Sequence, residues 1–456
     1  MTIHFRRSTR RGVSSRLVAL GLIAASVLVS AALIEVALRL VPNKYADGLA
    51  FAQDNGTTVA YQKLDGGLFV LEPGHDRRYH SPCIQSAGIA INDLGFRGGA
   101  WAAPGPKPRF AVLGDSFLEA LQVGERDHAS AILGQLLEAD VLNAAVSGYS
   151  TLTEVAAYRQ FVRPERPDLV LLFVFLGNDI DGNSCRLDAN RVLCGSVDQG
   201  QLTIVDREAP GAPIVGETIP NGDDGEYVER DLPTRIRDSL RRNLAIYHAL
   251  HDLRLVAKGA VSQVLGHVDD RWSLYVEPEA PTWSDAWRIT EMAIETLRRD
   301  VAAAGARLAI VAIPEHFALS PNGRREIVFG TGSAAPENLD LARPSRRLGE
   351  IAARLGLPFL DLAPALVAYR DRVGLGYPYF SFACEGHWNP LAHNLVAHEV
   401  AAFVAERNLL ARPTVTPATI LEKRRAAFAR SPADILDAKT LAEIYGGGIY
   451  RGGRAD

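Results

Sequence analysis

An α/β fold built on a five-stranded parallel sheet is what this sequence predicts, on three observations. Strand-length apolar runs alternate five times with helical patterns. One of these runs, LVLLFVFL at 169–176, is apolar at every position. The polar residues able to carry chemistry follow directly on the ends of the runs. Such alternation gives a parallel sheet with right-handed crossovers, in flavodoxin-like order. A strand apolar throughout is buried on both faces and belongs at the centre.

The first strand is RFAVL at 109–113, and it stops at Gly114, Asp115 and Ser116. A hydroxyl at the C-terminal edge of such a sheet is a candidate nucleophile, although Ser at this point also caps helices. A helix follows with Asp127 as its cap and Ile132, Leu133, Leu136 and Leu137 on one face. The second strand, 141–146, ends at Ser147 and Gly148. The next helix starts at Thr151, with Glu154 completing a capping box, and stops before Pro164. The third strand ends at Gly177, Asn178 and Asp179.

The alternation then breaks at 181–280, which is rich in Gly and Asp turns and has one helical pattern, at 233–257. This reads as an insertion over the mouth of the sheet. Beyond it come a helix at 284–304, a strand at 307–313, a helix at 344–355 and a short strand at 358–362. The last helix of the alternation starts at Asn389-Pro390, a capping Asn followed by Pro in the first turn. Its inward face is Leu395, Val396, Val400, Phe403 and Val404.

Around this domain, taken as 108–412, the chain divides further. Residues 1–16 are basic, 17–40 form a transmembrane helix, and 41–107, rich in Gly and Pro, read as an extended stalk and lead-in. Residues 413–456 are an appendage, with a helix at 417–445 and a loose tail.

The whole chain has 456 residues, is 47% hydrophobic and carries a net charge of −4. That is ample for a core, and the dispersed basic residues exclude nucleic acid as a partner. Arg6, Arg7, Arg10, Arg11 and Arg16 precede an uncharged run at 17–34 that spans about 27 Å as a helix, near the roughly 30 Å of a bilayer core. The arginines hold the N-terminus in the cytoplasm and send the rest across the membrane to a periplasmic or extracellular location. A cleaved signal peptide is the rival reading, with Ser30 and Ala32 as a weak cleavage site; the length of the run favours an anchor. Glu35 and Arg39 fall at its outer end.

Four cysteines agree with export. Cys185 and Cys194 bracket a short polar stretch, which suits a local disulfide. Cys83 and Cys384 are then left to pair, tying the lead-in to the histidine loop. There is no CxxC pair, so no zinc site is expected.

Ser116, Gly148, Asn178 and His387 all lie just past strand ends. A hydrolytic serine needs a base, here His387, and donors aimed at the oxyanion that forms when it attacks a carbonyl. The backbone N–H groups of Ser116 and Gly148 and the side-chain amide of Asn178 can be those donors. Asp115 and Asp179 are expected to fix the turns, and His393 and His398 to have ordinary surface or packing roles. Glu315 and His316 follow the fourth strand and can line a pocket. Trp388 is read as packing beside the catalytic loop or stacking on a sugar.

GDSF at 114–117, NAAVSGYS with Gly148, FLGND with Asn178 and EGHWNP with His387 stand in the order of the SGNH (GDSL) hydrolases, and the chain resembles that family. It is most similar to membrane-anchored bacterial members and to exopolysaccharide O-acetylation proteins. The resemblance covers about residues 30–408. It implies a three-layer α/β/α sandwich, Ser116 as nucleophile, His387 as base, and Gly148 and Asn178 in the oxyanion hole. It also implies removal or transfer of acyl groups, often acetyl, on carbohydrates and cell-surface polymers, with no cofactor. Transfer would add a membrane-bound acyl-donor protein as a partner. The departure is at the triad acid: many members place Asp three residues before the His, where this chain has Cys384. The nearest carboxylate is Glu385, expected within about 3.2 Å of His387 Nδ1. A Ser-His dyad oriented by a backbone carbonyl is the alternative at that point. A catalytically idle glycan-binding or assembly component is the alternative for the whole chain.

Overall fold

The computed structural model describes residues 11–40, 61–73, 77–81, 83–188, 191–198, 201–206, 240, 243–247, 249–250, 253–254, 270–326, 337–383 and 385–446. The chain divides into two units, Met1–Asn55 with Glu226–Ala257, and Gly56–Gly225 with Lys258–Asp456.

In the first unit, helix α1 (Arg11–Leu40) contains a stretch, Leu17–Leu40, that is long and apolar enough to cross a membrane. At its C-terminal end Glu35 accepts from Arg39 Nε (2.6 Å) and from the backbone N–H groups of Ala245 and Ile246 (3.0 and 2.8 Å). The helix expected at 233–257 lies mostly outside the described residues.

The second unit is a three-layer α/β/α sandwich. Its sheet comprises β1 (Arg109–Leu113), β2 (Asp140–Asn143), β3 (Leu169–Phe175), β4 (Arg307–Ile313) and β5 (Phe359–Asp361). The strands are parallel, in the order β5-β4-β3-β1-β2. This is the flavodoxin-like order, with the all-apolar β3 in the middle. Alternate residues of each strand feed opposite faces. Phe110, Val112, Leu169, Leu171, Phe173, Ala309 and Val311 pack on α2 (Ala129–Leu137), α6 (Ala363–Val373) and α7 (Pro390–Glu406). Ala111, Leu113, Val170, Leu172, Val174, Leu308 and Ile310 pack on α3 (Thr151–Ala157), α4 (Pro281–Ala303) and α5 (Arg343–Arg354).

Asn389 caps α7 by accepting from the Ala392 N–H at 3.1 Å, with Pro390 behind it, and Leu395, Val396, Val400, Phe403 and Val404 are all buried. Elsewhere, local expectations gave way to packing. β2 ends at Asn143 rather than at 146; the Ala144 and Val146 N–H groups still donate to the Val112 and Gly114 carbonyls (2.9 and 3.2 Å), while the Asn143 side chain accepts from the Ala145 N–H and donates to the Leu118 carbonyl. Helix α2 is capped by His128, whose Nδ1 accepts from the Ala131 N–H, and not by Asp127. Helix α3 follows Ser150 without a side-chain cap, and neither oxygen of the buried Glu154 has a hydrogen-bond partner among the described residues, so no capping box forms.

The lead-in, read as an extended stalk, is folded from Tyr61 onward. Tyr61–Lys63 pairs antiparallel with Phe69–Leu71, and Arg77–Ser81 with Ile84–Ile89. Leu68, Val70, Leu71, Ile84, Ile89, Ile91 and Phe96 are buried. Two of these strands have only three residues, and RRYHS and IQSAGI carry no sustained alternation of apolar and polar residues, so no period shows in sequence. In the insertion, Leu193–Asp198 pairs antiparallel with Gln201–Asp206. Cys185 and Cys194 are joined, their Cα atoms 4.9 Å apart. Cys83 is also disulfide-bonded, while its expected partner Cys384 lies outside the described residues.

The single helix expected at 417–445 is instead three: α8 (Pro417–Ala429), a turn at Pro432–Ile435, and Ala438–Tyr445. Pro432 cannot continue the ladder, and Ser431 and Asp437 cap new starts. Ile420, Leu436 and Ile444 join the core beside α7, so the appendage is packed as far as Gly446. The tail expected beyond it lies outside the described residues.

Candidate active site

The sheet order makes β2, β1 and β3 neighbours, so the turns that follow them, carrying Gly148, Ser116 and Asn178, open at one end of the sheet. After β1, Asp115 Oδ1 accepts from the Phe117 N–H at 3.0 Å and caps the one-turn helix Ser116–Glu119. Ser116 is thereby held at the helix start. After β3, Asp179 Oδ2 accepts from the Phe175 N–H at 2.7 Å, which folds the turn around Asn178. Both aspartates thus do the turn-fixing work expected of them.

His387 reaches Ser116 from the loop before α7. Nε2 of the ring lies 2.8 Å from Ser116 Oγ, and the two residues are only 8% and 9% exposed. The loop is pinned on both sides of the ring: the Phe382 N–H donates to the His387 carbonyl (2.8 Å), and the Asn389 N–H to the Phe380 carbonyl (2.9 Å). The ring packs on Phe117, which also touches Phe175 and Trp388.

Glu385 is the carboxylate beside that ring, but its Oε1 stands 3.5 Å from Nδ1, beyond the 3.2 Å expected of a hydrogen bond. The reason is visible in its other partners: the same oxygen accepts from the Tyr79 hydroxyl and from Gln122 Nε2 (3.0 Å). The carboxylate is shared, with its charge facing the ring.

Gly148 has φ +82°, a left-handed conformation that favours glycine. A Cβ there would also approach Phe69 and Arg191, at 3.6 and 3.8 Å. Arg191, from the insertion, donates to the Gly148 carbonyl and to Asp188 (2.8 Å). The residue before Gly148 is held by Glu119: Ser147 gives this carboxylate its backbone N–H (3.0 Å) and its hydroxyl. Asn178 is half-buried and does not cap the turn that follows, and its Oδ1 has no hydrogen-bond partner among the described residues.

The electrostatics are those of acids kept from water. Burial pushes Asp115 up to about 6, against the Phe117 N–H and the charge of His387. Burial also pushes Glu119 up to about 7, against its donors from Ser147 and Tyr61 and the charge of Arg97. Glu154 and Asp179 are raised well above the carboxylate range by burial and by the neighbouring acids. Among the described residues no group of three or more His, Cys, Asp or Glu side chains is placed to hold a metal ion.

Two expected binding residues fare differently. Trp388 is 1% exposed, its ring packed against Phe117 and His393, so it is a core residue and not a platform for a sugar. His316 is exposed, its ring against that of Phe317, and partial desolvation by the neighbouring chain lowers its pKa. Its neighbour Glu315 accepts from the Tyr275 hydroxyl at 2.6 Å. His393 packs as expected, accepting from the Ala129 N–H at 3.2 Å. Sequence reasoning missed Glu119, Gln122 and Tyr79. The first two carried a signal, as the polar residues of an otherwise apolar FLEALQV; Tyr79 carried none.

The parallel-sheet order and the Ser116–His387 contact are the arrangement that the resemblance to the SGNH (GDSL) hydrolases implied. No family model and no curated protein matches the sequence. Solved structures similar to the chain include a putative lipolytic protein of the G-D-S-L family from Desulfitobacterium hafniense DCB-2, with 10% identity and a TM-score of 0.32 over 65% of this chain and 98% of that one. An acetyl xylan esterase is similar at 10% identity and a TM-score of 0.33, over 64% and 97%. A catalytic mutant of an acetylxylan esterase from Geobacillus stearothermophilus is similar at 12% identity and a TM-score of 0.33, over 67% and 96%. At these scores the likenesses carry no weight beside the geometry of the site itself.

Proposed function

We propose that the protein is a membrane-anchored, extracytoplasmic serine esterase or O-acyltransferase that removes or transfers acyl groups, acetyl foremost, on a carbohydrate or cell-surface polymer. The observation that carries this reading is the 2.8 Å contact between Ser116 Oγ and His387 Nε2 at the C-terminal edge of the sheet. His387 Nε2 takes the hydroxyl proton as Oγ attacks the acyl carbonyl. The N–H groups of Ser116 and Gly148 and the Asn178 amide receive the oxyanion, and Glu385 balances the imidazolium charge. The imidazolium then gives its proton to the leaving group, which is the sugar oxygen in hydrolysis and the acyl donor's own heteroatom in transfer. An acyl group remains on Ser116 until a second acceptor, activated by the same imidazole, removes it. With water as that acceptor the protein is an esterase; with a sugar hydroxyl it is a transferase, and a membrane-bound acyl donor becomes its partner. The apolar helix Leu17–Leu40 supports the anchor, and the Cys185–Cys194 disulfide supports an oxidising compartment. The choice of an acylated glycan rests on the motif resemblance.

The test is incubation of the chain with acetylated xylan, acetylated peptidoglycan and small acetyl esters, with acetate release as the readout and Ser116→Ala as the control. Release that depends on Ser116 is expected. A wild-type protein that releases no acetate and takes no fluorophosphonate on Ser116 would be an idle binding component instead.

A further inference from the structure

Residues 61–108, as far as they are described, reach the catalytic end of the sheet at three points. The Tyr79 hydroxyl donates to Glu385 Oε1, the oxygen that faces His387. The Tyr61 hydroxyl donates to both oxygens of Glu119, at 3.2 and 3.0 Å. The fully buried Arg97 donates from Nη1 to the Glu119 carbonyl (3.2 Å) and from Nη2 to the Val123 carbonyl (2.6 Å), closing the end of the FLEALQV stretch.

The two carboxylates served in this way flank the Ser116–His387 pair. Glu385 stands behind the ring, and Glu119 holds both polar groups of Ser147, the residue before Gly148. A carboxylate out of water needs donors, or it must give up its charge or its position. A phenol is suited to this because it donates without bringing a cation, so the negative charge stays available to an imidazolium. Gln122 Nε2, at 3.0 Å, is likewise a neutral donor to Glu385. A stalk that served only as a spacer would have no reason to place two hydroxyls on one buried and one half-buried acid at one site.

We infer that this segment is part of the active site, with Tyr79 a positioning residue that acts through Glu385 on His387, and Tyr61 one that acts through Glu119 on the Ser147–Gly148 loop. The inference rests on the proposed reading of Ser116 and His387 as nucleophile and base. Without Tyr79, Glu385 is free to turn from the ring, and the imidazolium loses its nearest anion. Without Tyr61, Glu119 loses one of the donors that fix it, and the Gly148 N–H is less firmly aimed.

The experiment uses the full-length chain in detergent, hydrolysis of p-nitrophenyl acetate over a range of pH, and fluorophosphonate labelling of Ser116. Tyr79→Phe is expected to lower kcat about tenfold or more, the scale of a hydrogen bond to a charged group, with KM within about twofold. It also moves the acid limb of kcat/KM to lower pH, since the imidazolium is less stabilised. In a Glu385→Gln background the same change has no further effect, because the residue it acts through is already neutral. Tyr61→Phe lowers kcat and leaves the acid limb in place. Parental kcat and pH profile in Tyr79→Phe, or an equal loss with and without Glu385, overturns the role of Tyr79; parental kcat in Tyr61→Phe overturns that of Tyr61. A variant that melts lower but turns over at the parental rate is structural only, and also counts against the inference. Ser116→Ala separates the two levels. If it retains more than about a tenth of the activity, the reading of the site is wrong. If it is inactive while both tyrosine variants are parental, only this inference fails.

Discussion

Oε1 of Glu385 stands 3.5 Å from Nδ1 of His387 while accepting from Tyr79 and Gln122, so the proposed triad acid lies beside the ring without a formed hydrogen bond to it. In an apo structure such contacts are often long and tighten when the transition state develops positive charge on the ring. Glu385→Gln is therefore expected to lower kcat by about 10² or more, approaching the roughly 10⁴ seen when a triad acid becomes an amide. An unchanged rate would establish a Ser116–His387 dyad.

The pair itself should act as a unit. Ser116→Ala and His387→Ala are each expected to cost about 10⁴ to 10⁶ in kcat, and the double variant little more than either single one. Steady-state kinetics on one small acetyl ester checks this; independent, multiplying losses would contradict a shared proton transfer.

Asn178 is proposed as an oxyanion donor, and its side chain is not engaged in capping the turn that follows. Asn178→Ala should reduce kcat by about 10² to 10³ with the fold intact, the usual cost of one oxyanion donor. A folded variant that turns over at the parental rate would leave Asn178 as a turn residue only.

The buried acids give stability a definite pH dependence. The folded-state pKa of Glu119 is raised from 4.5 to about 7, and that of Asp115 from 3.8 to about 6, in both cases chiefly by burial. The native state therefore binds more protons than the unfolded one between those values. Stability contributed by the neutral forms is fully present below the unfolded pKa values and is lost as pH rises through about 6 and 7. Tm is expected to fall across this window, and Glu119→Gln, which cannot ionise, to flatten the fall. A Tm that rises over the same range would contradict the burial of these groups.

The Cys185–Cys194 bridge lies in the same segment as Arg191, whose guanidinium holds the Gly148 carbonyl. Thiol labelling of the exported protein without reductant should find neither cysteine free. The Cys185→Ser/Cys194→Ser double variant should keep Ser116 reactive but lower kcat, since the loop bearing Arg191 is less constrained. A parental rate would detach the insertion from the site.

Much of this protein was legible in its sequence by itself, for a physical reason. Strands buried on both faces must be apolar throughout, as in LVLLFVF, and their alternation with helices leaves one sheet type available; the residues after the strand ends then fall at one edge. Ser116, Gly148 and Asn178 were readable in this way, as was the Asn389-Pro390 start of α7; His387 was not, since the unforeseen helix α6 (Ala363–Val373) separates it from the end of β5 at Asp361. Tertiary structure alone decided what sits behind them. Glu385 lost its expected hydrogen bond because Tyr79 and Gln122 claim the same oxygen, and no local pattern encodes a bond between residues 306 apart. Trp388 reads alike whether it packs or stacks on a ligand, and only its burial against Phe117 and His393 distinguishes the two. The lead-in looked like a stalk because its strands carry no sustained alternation of apolar and polar residues. Only the folded chain brings its Leu68, Val70, Leu71 and Ile84 into the core and its Tyr61 and Tyr79 hydroxyls to Glu119 and Glu385, which lie far from them in sequence.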